Sequence, residues 1–168
     1  MQESLAFVYL NKSDFSAVAR VIFDILADNM TLISPTGNTR EEDYACWCTG
    51  VSEGLVRDER QIILIKVGDE LVGFFQYYTN EDTFMMEEIQ LKSAYQEKGI
   101  FRKLYGFILS NVSHNLEFVE AYASINNIKS IGVLKNLGLE NIGLNKNGRS
   151  YHFKGEFARL LKWYESKN

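Results

Sequence analysis

The sequence predicts a mixed α/β fold: a sheet that is antiparallel over its first part, contains one parallel pair, and carries helices on both faces. Residues 61–92 hold three successive strand-like runs separated by turns of only a few residues. That leaves no room for the crossover a parallel pair needs, so the three runs are antiparallel neighbours. Residues 83–124 then read strand, helix, strand, which implies one right-handed parallel crossover. A doubly wound nucleotide fold, with helices between its strands, does not fit the short turns.

Leu5–Leu10 is a short apolar and aromatic run of strand length, and Asn11-Lys12-Ser13-Asp14 offers several N-caps for a helix carrying Phe15, Val18, Ala19, Ile22, Ile25 and Leu26 at helical spacing. Residues 30–38, with Pro35 and Gly37, read as a loop. Thr39 can cap a second helix whose acidic start, Glu41-Glu42-Asp43, suits the positive end of the helix dipole. Its apolar stripe is Tyr44, Trp47, Cys48, Val51 and Leu55, and Arg57–Arg60 ends it. Gln61–Val67 and Leu71–Thr79 form a hairpin about Gly68-Asp69, and Thr83–Lys92 follows the turn Asn80-Glu81-Asp82.

After Gly99, the residues Phe101, Leu104, Tyr105, Ile108 and Val112 mark a helix, and Glu117–Ser124 the next strand. Asn127 can cap a helix with Ile128, Ile131, Leu134 and Leu137 inward, closed by Gly138. Leu139–Leu144 and Ser150–Phe153 flank the hairpin turn Asn145-Lys146-Asn147-Gly148, and Phe157, Leu160, Leu161 and Tyr164 predict a terminal helix.

The 168 residues are 46% hydrophobic and 24% charged, which suits a single domain over residues 1–168. A net charge of −4 lacks the basic excess that phosphate backbones attract, so nucleic acid is not an expected partner. No apolar run reaches the ~20 residues of a membrane span, and the first residues show no signal peptide, so the expected location is cytoplasmic and no membrane partner is expected. Cys46 and Cys48 flank Trp47, too close together for an ordinary disulfide or a zinc knuckle. They are expected as buried free thiols, and no metal site is expected.

The chemistry concentrates in Glu87-Glu88-Ile89-Gln90-Leu91-Lys92-Ser93-Ala94-Tyr95-Gln96-Glu97-Lys98-Gly99-Ile100-Phe101-Arg102, a strand end, a turn and a helix start. Backbone N–H groups around Gln96–Arg102 lack intrahelical partners and, with the helix dipole, suit an anionic oxygen cluster. Gly99 lets a phosphate approach the main chain, and Lys98 and Arg102 can add charge from the side.

Gln96-Glu97-Lys98-Gly99-Ile100-Phe101 resembles the acetyl-coenzyme A loop of the GCN5-related N-acetyltransferase (GNAT) family, spelled Q or R, x, x, G, x, then G or A. Phe101 replaces the final small residue. Asn127-Ile128-Lys129-Ser130, running on to Leu137-Gly138-Leu139, resembles the family's later helix, with Asn127 and Ser130 matching. The resemblance implies a GNAT-like acyl-CoA N-acyltransferase fold and transfer of acetyl from acetyl-CoA to a primary amine of a small molecule or peptide, by direct attack in a ternary complex. It further implies main-chain contacts to the thioester and pantetheine at Ile89 and Leu91. Family members frequently pair through terminal strands or helices, so a homodimer is among the implied partners.

An alkylamine with pKa about 10.4 must lose a proton before it attacks. Glu87 and Glu88 are the candidate bases; neighbouring strand residues point oppositely, so at most one faces the acceptor, with Glu88 favoured. Many members carry Tyr where Leu134 stands, as the proton source for the departing thiolate, and leucine cannot donate. Tyr122, Tyr105 and Tyr151 are possible substitutes. A different reading is therefore also open, in which the fold is a non-catalytic acyl-CoA sensor; a third is an interaction module without cofactor. His114 and His152 are expected to be structural or exposed.

Overall fold

Alternating burial marks the first strand, β1 (Leu5–Tyr9). Asn11 caps a 3-10 turn at Lys12–Asp14, its side chain accepting from the Ser13 N–H at 3.2 Å, and α1 (Phe15–Met30) follows. Helix α2 (Arg40–Val56) starts at Thr39, whose hydroxyl accepts from the Glu42 N–H at 3.2 Å and donates to the Glu42 carboxylate at 2.9 Å, a reciprocal cap that holds the acidic first turn. The computed structural model describes residues 3–56 and 60–166, so residues 57–59, where the second helix is expected to end, lie outside the described residues.

Strands β2 (Gln61–Val67), β3 (Glu70–Thr79) and β4 (Thr83–Leu91) succeed one another through the short turns the sequence predicts. Then come α3 (Ile100–Leu109), β5 (Phe118–Ser124), α4 (Ile128–Asn136), β6 (Glu140–Leu144), β7 (Ser150–Glu156) and α5 (Phe157–Ser166). The strand order is β1-β2-β3-β4-β5-β7-β6, with β4 and β5 the one parallel pair and the rest antiparallel, as expected. The parallel register runs from Thr83↔Phe118 to Met86↔Ala121.

Two compact units divide the chain. The first comprises Met1–Tyr77 and Glu88–Lys98. Its core packs Phe15, Ala19 and Ile22 of α1 and Val51 and Leu55 of α2 against Ile62, Leu64 and Phe74 of β2 and β3. Trp47 joins it through ring contacts at 5.9 Å to Phe15 and 5.6 Å to Phe23. The second unit comprises Tyr78–Glu87 and Gly99–Asn168. There the β5–β7 register places Val119, Ala121 and Ala123 on one face with Phe153, all buried, and Leu104, Ile108, Phe157 and Leu160 are buried as well.

Three expectations are corrected. Ile128 is 80% exposed rather than inward. A stripe spaced only by threes drifts by about 60° per step, so Ile128 lies about 180° around the helix from buried Leu137. The thiols are free, but Cys46 is exposed and Cys48 only half-buried, because the apolar stripe of α2 passes through Cys48 and leaves Cys46 on another side. Helix α3 stops at Leu109, short of Val112; the N–H groups of Asn111 and Val112 both close onto the Ile108 carbonyl, at 2.9 and 3.0 Å.

Two glycines make opposite predictions. A Cβ at Gly73 would collide with the Gln90 carbonyl and lie 2.6 Å from a Leu91 methyl, so Gly73→Ala is expected to destabilise by about 2 kcal/mol. Gly132, inside α4, faces open space, so Gly132→Ala is expected to stabilise by about 0.5–1 kcal/mol. Denaturant melts of the two variants check both signs.

Candidate functional site

At the C-terminal end of β4 a chain of side-chain hydrogen bonds fixes the strand. Gln90 donates to Glu88 at 2.6 Å and accepts from Asn29 of α1 at 2.9 Å. Asn29 also donates to the Leu91 carbonyl at 2.7 Å, and the Gln96 amide donates to the same oxygen at 3.0 Å. Glu88 and Gln90 are two apart in a strand and so share one face, the face toward α1. Sequence reasoning missed Asn29 and Gln90. The pairing of Gln90 with Glu88 could have been read from their spacing, whereas nothing local to Asn29 points to a residue 61 positions away.

Beyond Leu91 the chain is pinned to the start of β3. The Lys92 N–H donates to the Val72 carbonyl at 2.8 Å, and Glu70 takes Lys92 Nζ at 3.0 Å and the Tyr95 hydroxyl at 2.7 Å. These two partners hold the Glu70 carboxyl below its ordinary pKa, the Tyr95 hydrogen bond contributing most.

Two left-handed residues then occur in close succession, Glu97 at φ +61° and Gly99 at φ +78°. Glycine takes this conformation without steric cost, and a Cβ at position 99 would meet only open space, so the main chain lies accessible there. Gly99 is the N-cap of the ten-residue α3 and gives it no side-chain cap. Main-chain N–H groups at a helix start without a side-chain cap are of the kind that suits an anion. Lys98 is exposed and Phe101 half-buried.

The Arg102 side chain packs against α5. Its guanidinium donates to the Tyr164 carbonyl at 2.7 Å and lies over the Tyr164 and Trp163 rings, at 5.0 and 5.9 Å from their centroids. Gly106, one turn along the same face of α3, has no side chain to keep Tyr164 away, so α5 draws the arginine to itself.

In the second motif segment the Asn127 side chain accepts from the Ser130 N–H at 3.1 Å, capping α4 as the sequence predicts, and Leu134 is buried at 8% exposure. Of the three tyrosines considered as proton donors, Tyr105 is buried with its hydroxyl on Met86 Sδ at 3.4 Å, and burial pushes its pKa up. Tyr151 belongs to the face of β7 that carries Phe153's ring contact, at 6.5 Å. Tyr122 is 48% exposed and stacks on His152 at 4.5 Å. His152 is in turn bonded to Glu120 at 2.7 Å, and His114 to the Leu109 carbonyl at the end of α3 at 2.6 Å.

By unit, Glu88, Ile89, Leu91, Gln96, Glu97 and Lys98 lie in the first; Glu87, Gly99, Phe101, Arg102, Asn127 and Ser130 lie in the second. Among the described residues no group of three or more His, Cys, Asp or Glu side chains is placed to hold a metal ion, and no helix is long and apolar enough to cross a membrane.

The chain matches the family model described as acetyltransferase (GNAT) family over residues 20–139. It is similar in structure to an acetyltransferase from Thermus thermophilus, with a TM-score of 0.72 and 15% identity over 93% of this chain and 99% of that one. It is also similar to the PaiA N-acetyltransferase of Thermoplasma acidophilum in complex with coenzyme A (TM-score 0.68, 14% identity, 91% and 99% covered). A third similar structure is the spermidine N-acetyltransferase of Vibrio cholerae in complex with CoA and spermine (TM-score 0.62, 15% identity, 94% and 98% covered). At these identities the likeness is one of fold. No curated protein sequence matches.

The anchoring of the loop has a pH signature. Because Glu70 is held below its ordinary value in the folded chain, its ionisation favours the fold above the unfolded pKa, and that contribution is lost as pH falls through the depressed value. Tyr95→Phe removes the larger cause. An NMR titration is expected to show the Glu70 carboxyl moving up toward the ordinary glutamate range, with less acid-dependent loss of stability.

Proposed function

This chain belongs to the GNAT acetyltransferase family, and on that premise we propose that it transfers the acetyl group of acetyl-CoA to a primary amine of a small molecule or peptide, by direct attack in a ternary complex. The observation that carries the reading is the loop Gln96–Gly99, with its two left-handed residues, opening α3 directly after β4. The coenzyme A and amine ligands of similarly folded proteins support the cosubstrate and the acceptor class. The reading takes residues 1–168 as a single acetyltransferase domain working in the cytoplasm. It includes a homodimer, for which the exposed edge strand β6, with Ile142 and Leu144, is a suitable element.

In this reading the main chain of Gln96, Glu97, Lys98, Gly99, Phe101 and Arg102 receives the pyrophosphate of the cosubstrate. Main-chain groups of Ile89 and Leu91 meet pantetheine and thioester, and Asn127 and Ser130 belong to the same binding set. Glu88, with Glu87 as the alternative, accepts a proton from the ammonium group. The amine lone pair forms the C–N bond, the C–S bond breaks, and its electron pair leaves on sulfur. The nitrogen loses its second proton and the thiolate gains one, so ammonium and thioester give amide, thiol and one released proton. A thiol pKa near ~8.5 makes the thiolate a tolerable leaving group without a tyrosine at position 134.

The buried Leu134 also favours a second reading, a non-catalytic acyl-CoA sensor. Calorimetric titration with acetyl-CoA, and then a thiol-release assay against a panel of amines, separates the two. Binding with amine-dependent release supports the transferase; binding without release supports the sensor; no binding removes both. Gly99→Glu is expected to weaken coenzyme A binding at least tenfold, because it puts a carboxylate and a strained backbone where an anion is to sit. Glu88→Gln is expected to lower kcat by about a hundredfold with coenzyme A binding unchanged.

A further inference from the structure

We propose that Gln76 is the seat of the acceptor's nitrogen: a buried side-chain carbonyl on the α1-facing side of β3, beside Glu88, that selects acceptors bearing N–H donors. Its catalytic consequence rests on the acetyl-transfer reading, whereas the binding itself stands on the first unit alone.

Gln76 is 7% exposed, and its Oε1 is buried with no hydrogen-bond partner. Buried polar atoms are nearly always satisfied, so an unmet acceptor in the middle of a central strand calls for a reason. The direction of the side chain comes from register. Gln76 pairs with Ile62 and Phe74 with Leu64, and Ile62, Leu64 and Phe74 all belong to the core beneath α1 and α2, so Gln76 faces that side. Gln90 reaches Asn29 of α1 and bonds Glu88, so those two face it as well.

Antiparallel pairing brings these faces together. The Lys92 N–H meets the Val72 carbonyl at 2.8 Å, which sets Gln90 across from Phe74; at the hairpin the Asn80 N–H meets the Thr83 carbonyl at 3.0 Å, so β4 holds one residue more than β3 over this span and Glu88 lies within one residue of the level of Gln76. Residues that share one face of such a strand pair, opposite or diagonal to one another, lie within side-chain reach. The pair therefore presents a neutral carbonyl and a carboxylate, two acceptors side by side. A primary ammonium carries three N–H groups and answers both; a quaternary ammonium carries none, and an anion is repelled. Gln76 would hold one N–H while Glu88 takes another proton.

The test uses the full chain saturated with coenzyme A. The Gln76 side-chain amide, identified by its loss in Gln76→Leu, is tracked by NMR during titration with methylammonium, tetramethylammonium or acetate. A saturable shift with methylammonium alone is expected; no shift, or a shift with acetate instead, overturns the proposal. Gln76→Leu removes an unmet polar atom and is expected to melt unchanged or about 2–4 °C higher, with KM for accepted primary amines raised at least tenfold, kcat within threefold, and coenzyme A affinity unchanged. Gln76→Glu, which keeps an acceptor oxygen, is expected to restore most of the KM. A Leu variant that loses stability while KM stays put would show a structural glutamine and overturn the assignment. Failure of the wild type to bind coenzyme A would remove the acetyl-transfer reading, and the methylammonium titration would still decide the ammonium seat.

Discussion

The carbonyl of Leu91 accepts two side-chain amides, one from α1 and one from the loop after β4. Much of the arrangement around the candidate site depends on this one oxygen. A backbone carbonyl at a strand end would ordinarily turn to water; here it ties a helix near the beginning of the chain and a loop near its middle to the same point. Asn29 reaches it while also holding Gln90, and Gln90 holds Glu88, so the glutamate's position is set by a chain of amides rather than by its own strand alone. Buried amide chains of this type reinforce one another where every link is satisfied.

That network explains why the loop can be exposed and still be well defined. Lys92, Tyr95 and Gln96 are each tied backwards, the first two to Glu70 and the third to Leu91. In the next segment the main chain lies open at Gly99. Arg102 belongs to the same logic in the second unit, where its stacking on Trp163 and Tyr164 serves α5. Its charge is set at the carbonyl end of that helix, where a cation is favourable.

The order of elements was legible because it rests on local rules: strand-length apolar runs, short turns between residues 61 and 92, and caps at Asn11, Thr39 and Asn127 that the structure uses. The misses were of two kinds. The inward reading of Ile128 comes from counting apolar spacing without tracing its drift around a helix, and that of Cys46 from the burial usual for a free thiol. Asn29, Gln76 and the docking of Arg102 depend on partners 61 or 62 residues away or on an adjacent strand, and no window along the chain contains both members. Gln76 in particular sits among Phe74, Phe75, Tyr77 and Tyr78, a run that reads simply as core. Gly99 announced its left-handed backbone by being glycine, whereas Glu97 did not.

Glu97 also bears on how this sequence can drift. At φ +61° an L-residue with a full side chain is tolerated at a cost, asparagine, aspartate and glycine are eased, and β-branched residues are nearly shut out. Neutral exchange at this exposed position is thus confined by backbone geometry. Lineages descending from this protein should vary there within a narrow, mostly small and polar alphabet, even though the side chain itself faces water.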